Sequence, residues 1–412
     1  MTKRVIVAGG GPAGMIAAGT LAEKNIDVVL IEKNKFLGKK LRITGKGRCN
    51  ITNIADIEDF ISNVPTNPRF LYSAFHSFTN NDVIRLLNSL GVETKTERGG
   101  RVFPLSDSAK DVADALQKYA LKKNVRLINA EVLKILADNG TVRGVKTDKG
   151  DFYYADAVIM ATGGKSYPKT GSDGKGLLLC KALGHTVIEP KPSLIPIVTN
   201  EAWTAELMGL ALKNIEISVY NKKNKKIYSD FGEMLFTHFG ISGPVVLSAS
   251  AHMKNPERES YYITVDLKPA LGEEKLDKRI CRDFEMFKNK HIINALDELL
   301  PKAIIPVIIG ISGIPSHKEV NSVTREERHR LIGIIKGLRL TVKGFRPIDE
   351  AIVTSGGINV KEINSSTMES RIIKNLYFAG EMIDVDAYTG GFNLQIAYST
   401  GYLAAQSVIC DL

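Results

Sequence analysis

Paired cysteines are missing from this sequence. The four that its 412 residues contain, Cys49, Cys180, Cys281 and Cys410, stand far apart, with no Cys-x-x-Cys and no metal-ligand spacing. A disulfide framework and a cysteine-based metal centre are excluded, no metal is expected, and a reducing compartment fits. Long apolar runs are missing too. About 18 residues are needed to span a bilayer, and the nearest approach, residues 303–315, is interrupted by Pro306 and Gly310. Lys3-Arg4 and the apolar run after them mimic a signal peptide, but that run is only a strand long and has no cleavage-type ending. A cytoplasmic protein with no membrane partner is expected. There is no internal repeat, no low-complexity tract and no basic tail. The net charge is +10, yet the basic residues are scattered. The densest cluster, Lys222-Lys-Asn-Lys-Lys226, reads as a solvated hairpin turn, so the charge is taken as steering for anionic small molecules, with no nucleic-acid partner. Oligomeric state is not legible.

What is present is ordinary in bulk and specific in detail. A hydrophobic content of 44% and a charged content of 24% suit a globular protein of two or three domains. Residues 5–8 form a short apolar run stopped by Gly9-Gly-Gly11-Pro-Ala-Gly14, and a second apolar run ends at Glu32. Gly9 permits a tight turn, Gly11 lets backbone approach a pyrophosphate, and Gly14 lets the next helix pack closely on the strand. A helix opening at Pro12 and Ala13 aims unpaired N–H groups at that pyrophosphate. Glu32 stands where a carboxylate accepts the hydroxyls of an adenosine ribose. This is a dinucleotide site.

The segment after Glu32, running through Lys33 and Lys40 to Thr44-Gly45-Lys-Gly47-Arg48-Cys49-Asn50, is too polar and glycine-rich for a packed helix, and is expected to line the ligand. Cys49 has no second cysteine nearby for disulfide exchange. Residues 132–154 alternate as a three-stranded antiparallel meander and lead into a buried strand ending at Ala161-Thr162-Gly163. No second complete Gly-x-Gly-x-x-Gly follows a strand in this region, which argues against a separate NAD(P)H fold. Near the C-terminus a strand ends at Ala379-Gly380-Glu381, whose carboxylate suits ribityl hydroxyls. Gly390-Gly391 then passes a flavin ring, and a helix opening at Phe392-Asn393-Leu394-Gln395 faces its pyrimidine side, where reduction places negative charge. NAD needs no such site, so FAD is the expected cofactor.

Together, Gly9 to Gly14 with Glu32, residues 44–53, 161–176, 236–244, 354–357 and 379–395 resemble the bacterial BaiN/RdsA family of NAD(P)/FAD-dependent oxidoreductases. Its members include an aminoacetone oxidase and a bile-acid reductase acting on conjugated 3-oxo steroids. The resemblance covers essentially the whole chain. It implies an α/β fold: a Rossmann-like FAD domain of the glutathione-reductase and fumarate-reductase type, interrupted by a β-barrel-like module with a helical insert. The expected division is 1–190 and 341–412 for the FAD domain and 191–340 for the insert, barrel-like over 191–265 and 320–340 and helical over 266–319. More distantly, Thr354-Ser-Gly-Gly and Ala379-Gly-Glu with Gly390-Gly-Phe-Asn resemble fumarate reductase flavoproteins. Ile352 and Val353 replace the usual histidine, so fumarate is not expected. The favoured activity is NAD(P)H-dependent reduction of an activated C=C bond, such as that of a 3-oxo-Δ4/Δ6 steroid, with hydride passing through flavin N5. Oxidation of a small amine or aminoketone to give hydrogen peroxide is the enzymatic alternative, and a non-catalytic flavin-binding or assembly protein is the other. Tyr388, His238 and Arg48 are the candidate catalytic groups.

Overall fold

The computed structural model describes residues 3–253, 256 and 259–411. The chain divides into two compact units, Met1–Ser193 with Pro347–Leu412, and Leu194–Arg346.

At the centre of the first unit lies a five-stranded parallel sheet in the order Leu376–Phe378, Ala157–Met160, Arg4–Ala8, Asp27–Glu32 and Val125–Asn129. Its middle strands read as unbroken apolar runs because both faces are covered; Val5, Ile6, Val7 and Ala8 are fully buried. The helix Pro12–Glu23 is buried on every side from Ala13 to Ala22, as befits a helix that is apolar all round. Two neighbours press against it closely enough to require glycine. A Cβ on Gly401, in the C-terminal helix Phe392–Asp411, would lie 2.3 Å from the Ala13 carbonyl oxygen, and one on Gly19 would lie 2.2 Å from the Tyr119 ring. Val132–Asp138, Thr141–Thr147 and Phe152–Tyr154 form the antiparallel meander that their alternation predicts.

A histidine locks the edge of this core. His185 is buried; its Nδ1 lies 3.1 Å from the Cys180 carbonyl oxygen and its Nε2 lies 2.7 Å from the Ser370 hydroxyl. That hydroxyl already accepts from the Ile372 and Ile373 N–H groups, so its own hydrogen points at Nε2 and the ring is neutral with its proton on Nδ1. Burial holds the His185 pKa below its ordinary value, against the opposing pull of the Cys180 carbonyl and Glu362. Above roughly pH 6.5 both folded and unfolded chains carry a neutral ring. Below that pH only the unfolded chain protonates readily, so the stability His185 contributes is lost as pH falls. Urea unfolding at successive pH values is expected to show the parent losing up to about 1.4 kcal/mol per pH unit more than His185→Gln below pH 6.5. Equal slopes for the two would remove His185 as the cause.

The second unit is a closed barrel of six strands in the order Ile197–Thr199, Gly240–Ser242, Lys226–Thr237, Ala211–Asn221, Tyr261–Asp266 and Leu338–Phe345. Ile217, Val219, Phe236, Ile263, Val265 and Leu340 fill its interior. The helices Glu273–Met286, Ile305–Ser312 and Arg325–Lys336 follow the fifth of these strands in sequence. One expected boundary shifts: residues 325–336 are helical, not barrel. A capping box between Thr324 and Glu327 starts that helix, Gly337 ends it, and the closing strand begins only at Leu338. The lysine cluster 222–226 lies at the turn of the hairpin formed by Ala211–Asn221 and Lys226–Thr237.

Candidate dinucleotide site

The strand Arg4–Ala8 ends on Gly9, which turns at φ +107°. The helix then opens at Pro12, with no side chain capping it and no acidic residue in its first turn. Its N–H groups therefore remain available to an anion. The three glycines have different reasons to be there. Cβ atoms on Gly9 and Gly14 would lie 2.4 Å from the Ala161 carbonyl oxygen and 1.9 Å from the Gly9 carbonyl oxygen, whereas a Cβ on Gly11 would meet nothing within 4 Å. Gly11 borders open space, as a backbone that admits a pyrophosphate requires. Glu32 is tied into the same turn: one carboxylate oxygen accepts the Gly10 N–H at 2.7 Å, and the other accepts the Asn34 N–H at 2.7 Å and its side-chain amide at 2.6 Å. A carboxylate has about four lone-pair sites, so acceptor capacity remains for a ribose hydroxyl.

Lys33 is committed elsewhere. It bridges Asp173 at 2.8 Å and Glu131 at 3.3 Å, and Lys175 closes the network on Glu131 at 2.9 Å. Burial pulls the Asp173 pKa upward, but Lys33 and Lys175 outweigh it and hold the carboxyl below its usual range. This network pins the glycine turn 170–176 beside Glu32. Within that turn the buried Ser172 hydroxyl has no partner among the described residues, and it lies against Gly163. An unpartnered polar atom here fits a ligand contact.

Thr44 to Gly47 and Cys49 leave the right-handed helical region, while Arg48 between them stays in it. Gly45, Lys46, Gly47 and Cys49 all have positive φ, a conformation that turns successive N–H groups toward one side. Cys49 is fully buried, and burial pushes its thiol up to about 12 despite a hydrogen bond with Thr44. It stays a protonated, inert thiol. Arg48 forks between Glu97 and Asp107 and lies 4.3 Å from the Phe103 ring centre. These carboxylates hold the guanidinium proton still more firmly than usual, so Arg48 positions this loop and has no proton to give.

The structure brings this loop to the C-terminal glycines. In the orientation that satisfies its amide, Asn50 accepts the Gly391 N–H at 3.0 Å and donates to the Thr52 carbonyl at 3.1 Å. Asn53 donates to the Gly390 carbonyl at 3.1 Å. Gly391, at φ +100°, passes so near residue 52 that a Cβ would lie 2.4 Å from its carbonyl oxygen. Asn393 braces the preceding turn, accepting from Ala387 N–H and donating to the Ala387 carbonyl at 2.6 Å. Gln395 is the fourth residue of the helix Phe392–Asp411. Its side chain is buried in the core, where it accepts from Thr52 at 2.7 Å and donates to the Phe78 carbonyl at 2.9 Å and to Ser399 at 3.0 Å.

Glu381 anchors the middle of the site. Its carboxylate receives Lys40 at 2.8 and 3.0 Å, the Ser166 hydroxyl at 2.9 Å and the Thr354 N–H at 2.8 Å. The Thr354 hydroxyl in turn accepts the Lys165 and Ser166 N–H groups at 2.8 and 3.0 Å. Ser166 and Thr354 are not among the expected ligand residues, although Thr354 opens the Thr-Ser-Gly-Gly stretch 354–357. Two further acids lie on the same stretch of chain. Asp386 is buried with one oxygen taking the Ser193 hydroxyl at 2.7 Å and the other unpartnered among the described residues. Asp384 is held above the ordinary carboxyl range by burial and by Asp386, against a hydrogen bond from Asn67. Tyr388 lies between Glu381 and Gly390 in sequence and is half-buried, its N–H donating to the Asn63 carbonyl at 2.9 Å. His238 belongs to the barrel unit, is exposed, and lies edge-on to Phe239.

The glycine turn, the acid-bearing strand end, the Thr44–Asn50 loop and the Glu381 anchor thus form one dinucleotide cradle that fits FAD. Residues 3–407 match the model of the HI0933-like protein Rossmann domain. A 3-dehydro-bile acid delta(4,6)-reductase of Clostridium scindens is 30% identical over 98% of both chains. A ribosomal RNA dihydrouridine synthase of Escherichia coli is 31% identical over 98% of this chain and 97% of its own. Among solved structures, a 3-ketosteroid delta1-dehydrogenase of Sterolibacterium denitrificans shares the fold over the whole of both chains, with a TM-score of 0.53 at 13% identity. No helix among the described residues is long and apolar enough to cross a membrane. The chain belongs to the HI0933-like family and is an FAD-dependent oxidoreductase.

Proposed function

We propose that this protein is an NAD(P)H-dependent reductase of a C=C bond conjugated to a carbonyl. The observation that carries the reading is that two relatives of nearly equal likeness, matched end to end, are named for reductions of that one type. One name is a bile-acid delta(4,6)-reductase, and the other is a synthase of dihydrouridine, which is uridine with its 5,6 double bond saturated. Bound FAD supplies a two-electron carrier between the nicotinamide and the acceptor. Gly9, Gly11 and the opening turn of Pro12–Glu23 hold the pyrophosphate, Glu32 the ribose, and Glu381 with Lys40 the ribityl region. Tyr388 supplies the proton that completes saturation, from its place between Glu381 and the Gly390-Gly391 turn.

A small enone, as in a 3-oxo steroid, is the substrate favoured here. A uracil base within RNA is the second reading, favoured by the hairpin tip: Lys222, Lys223, Lys225 and Lys226 are exposed there, and none forms an ion pair among the described residues.

Anaerobic stopped-flow mixing with NADH and NADPH separately tests the donor. Flavin bleaching within seconds is expected with one of them, followed by reoxidation on adding a 3-oxo-Δ4 steroid. Reoxidation by unmodified ribosomal RNA alone would move the substrate to the second reading, and bleaching by neither nucleotide would sink the reductase. Tyr388→Phe is expected to leave bleaching intact and to slow reoxidation by about a hundredfold or more.

A further inference from the structure

The barrel unit contains a recess remote in sequence from the dinucleotide motifs. The strand Ala211–Asn221 carries a bulge between Leu212 and Ile215, where Asn214 turns to φ +55°. Its pairing with Tyr261–Asp266 begins only at Glu216 opposite Asp266. Short of that point the two strands splay, and Leu267 turns away to donate its N–H to the Ile335 carbonyl at 2.9 Å. Bulges re-aim a strand and end its pairing in this way. The gap is 270 Å³ in volume, walled by Leu212, Ile215, Leu267, Leu300 and Pro301, with Lys213 and Lys268 also lining it. The four aliphatic walls are buried.

Charge at this recess is unbalanced. Lys268 is half-buried, and among the described residues neither it nor Lys213 forms an ion pair. The nearby acids are already committed. Asp266 pairs with Lys336, and Asp283 takes Arg279 at 2.7 and 2.9 Å. Lys336 also donates to the Lys268 and Leu271 carbonyls at 3.0 and 2.7 Å, which fixes the backbone beneath the lysine. Burial, with Arg279 adding a like charge, holds the Lys268 pKa below its ordinary value, the mark of a cation lacking its counter-ion. A half-buried cation beside an apolar wall is costly unless an anion joins it. A dry cavity of about 150 Å³ takes a benzene-sized ligand, so this one admits something roughly twice as large.

We propose that this recess binds a small amphipathic carboxylate, its anionic end on Lys268 and its hydrocarbon against Leu212, Ile215, Leu267 and Leu300. Calorimetric titration of the full FAD-loaded chain with octanoate is expected to show saturable binding of one molecule per chain. Octan-1-ol, equal in length and uncharged, is expected to bind at least about tenfold more weakly, as the loss of a charge-assisted contact implies. Lys268→Met keeps most of the stem and should cost octanoate about the same factor, while Lys268→Arg should stay within about threefold. Ala211→Phe, at the exposed lip, is expected to weaken octanoate binding with the melting temperature unchanged. Equal octanoate affinity in Lys268→Met and the parent, or no saturation up to about 10 mM, overturns the assignment. Either result leaves the reductase reading untouched, since none of these residues belongs to the dinucleotide cradle.

Discussion

Replacing Gly14 with alanine is expected to give a chain that neither retains FAD nor folds stably. The added methyl would lie 1.9 Å from the Gly9 carbonyl oxygen, an atom of the main chain that no rotamer change can move aside. Gly9 cannot retreat, because its own Cα faces the Ala161 carbonyl where the paired strands Arg4–Ala8 and Ala157–Met160 end. Relief must come from lifting the helix Pro12–Glu23, whose buried residues run from Ala13 to Ala22, and the loss should be about 3 kcal/mol or more. Gly11→Ala provides the contrast. Its backbone, at φ −76°, suits any residue, and its methyl would meet no protein atom. The FAD-free Gly11→Ala chain should therefore unfold within about 0.5 kcal/mol of the parent. Its FAD affinity should nonetheless fall by about a hundredfold, because the methyl occupies the space left for the pyrophosphate. Bound flavin absorbance per chain and thermal unfolding of the FAD-free protein measure the two effects separately. Parent-like FAD affinity in Gly11→Ala would mean that this turn does not hold the pyrophosphate.

The parts of the fold that declare themselves locally were legible in the sequence. Strand, glycine turn, helix and terminal acid follow one another within residues 4–32, so each constrains the next over short spans, and the meander is marked by period-two alternation. The pairings that build the site are different. Lys40 reaches Ser166 across 126 residues and Glu381 across 341, and no periodicity links such positions. Gln395 shows a second limit. The helix Phe392–Asp411 is buried on nearly all sides, so its sequence has no polar face to reveal which residues look toward a ligand and which into the core. Arg48 shows a third. A cation in a glycine-rich loop suggests a ligand, but Glu97 and Asp107 come from a separate β-hairpin and its following turn, and their approach depends on tertiary packing. In the insert expected to be helical over 266–319, the first helix ends at Met286 and the chain continues through short turns to the helix Ile305–Ser312.

Truncating Glu381 to alanine is expected to produce the second large effect, through the groups left behind more than through the carboxylate removed. Lys40 would lose its ion partner and the Thr354 N–H its acceptor, while Ser166, whose hydroxyl also receives Lys40 at 2.6 Å, would lose the oxygen that orients it. Breaking one side of a fully buried pair costs 3–5 kcal/mol. Here the Lys40 and Glu381 side chains retain 24% and 20% exposure, so water recovers part of that, and about 2 kcal/mol is the expected loss in the FAD-free chain. Lys40→Met alone leaves Glu381 with the Thr354 and Ser166 donors and should cost less. The double variant should then cost at least about 1 kcal/mol less than the two single losses combined, because the second removal takes away a cation that no longer has a partner. FAD retention should follow a different order. Both variants carrying Glu381→Ala should lose FAD, since the acceptor assigned to the ribityl hydroxyls is gone, while Lys40→Met should retain it more firmly than they do. Strict additivity of the stability losses would show that Lys40 and Glu381 are not coupled. FAD affinity unchanged in Glu381→Ala would show that this carboxylate braces the loops at residues 40, 166 and 354 without touching the cofactor.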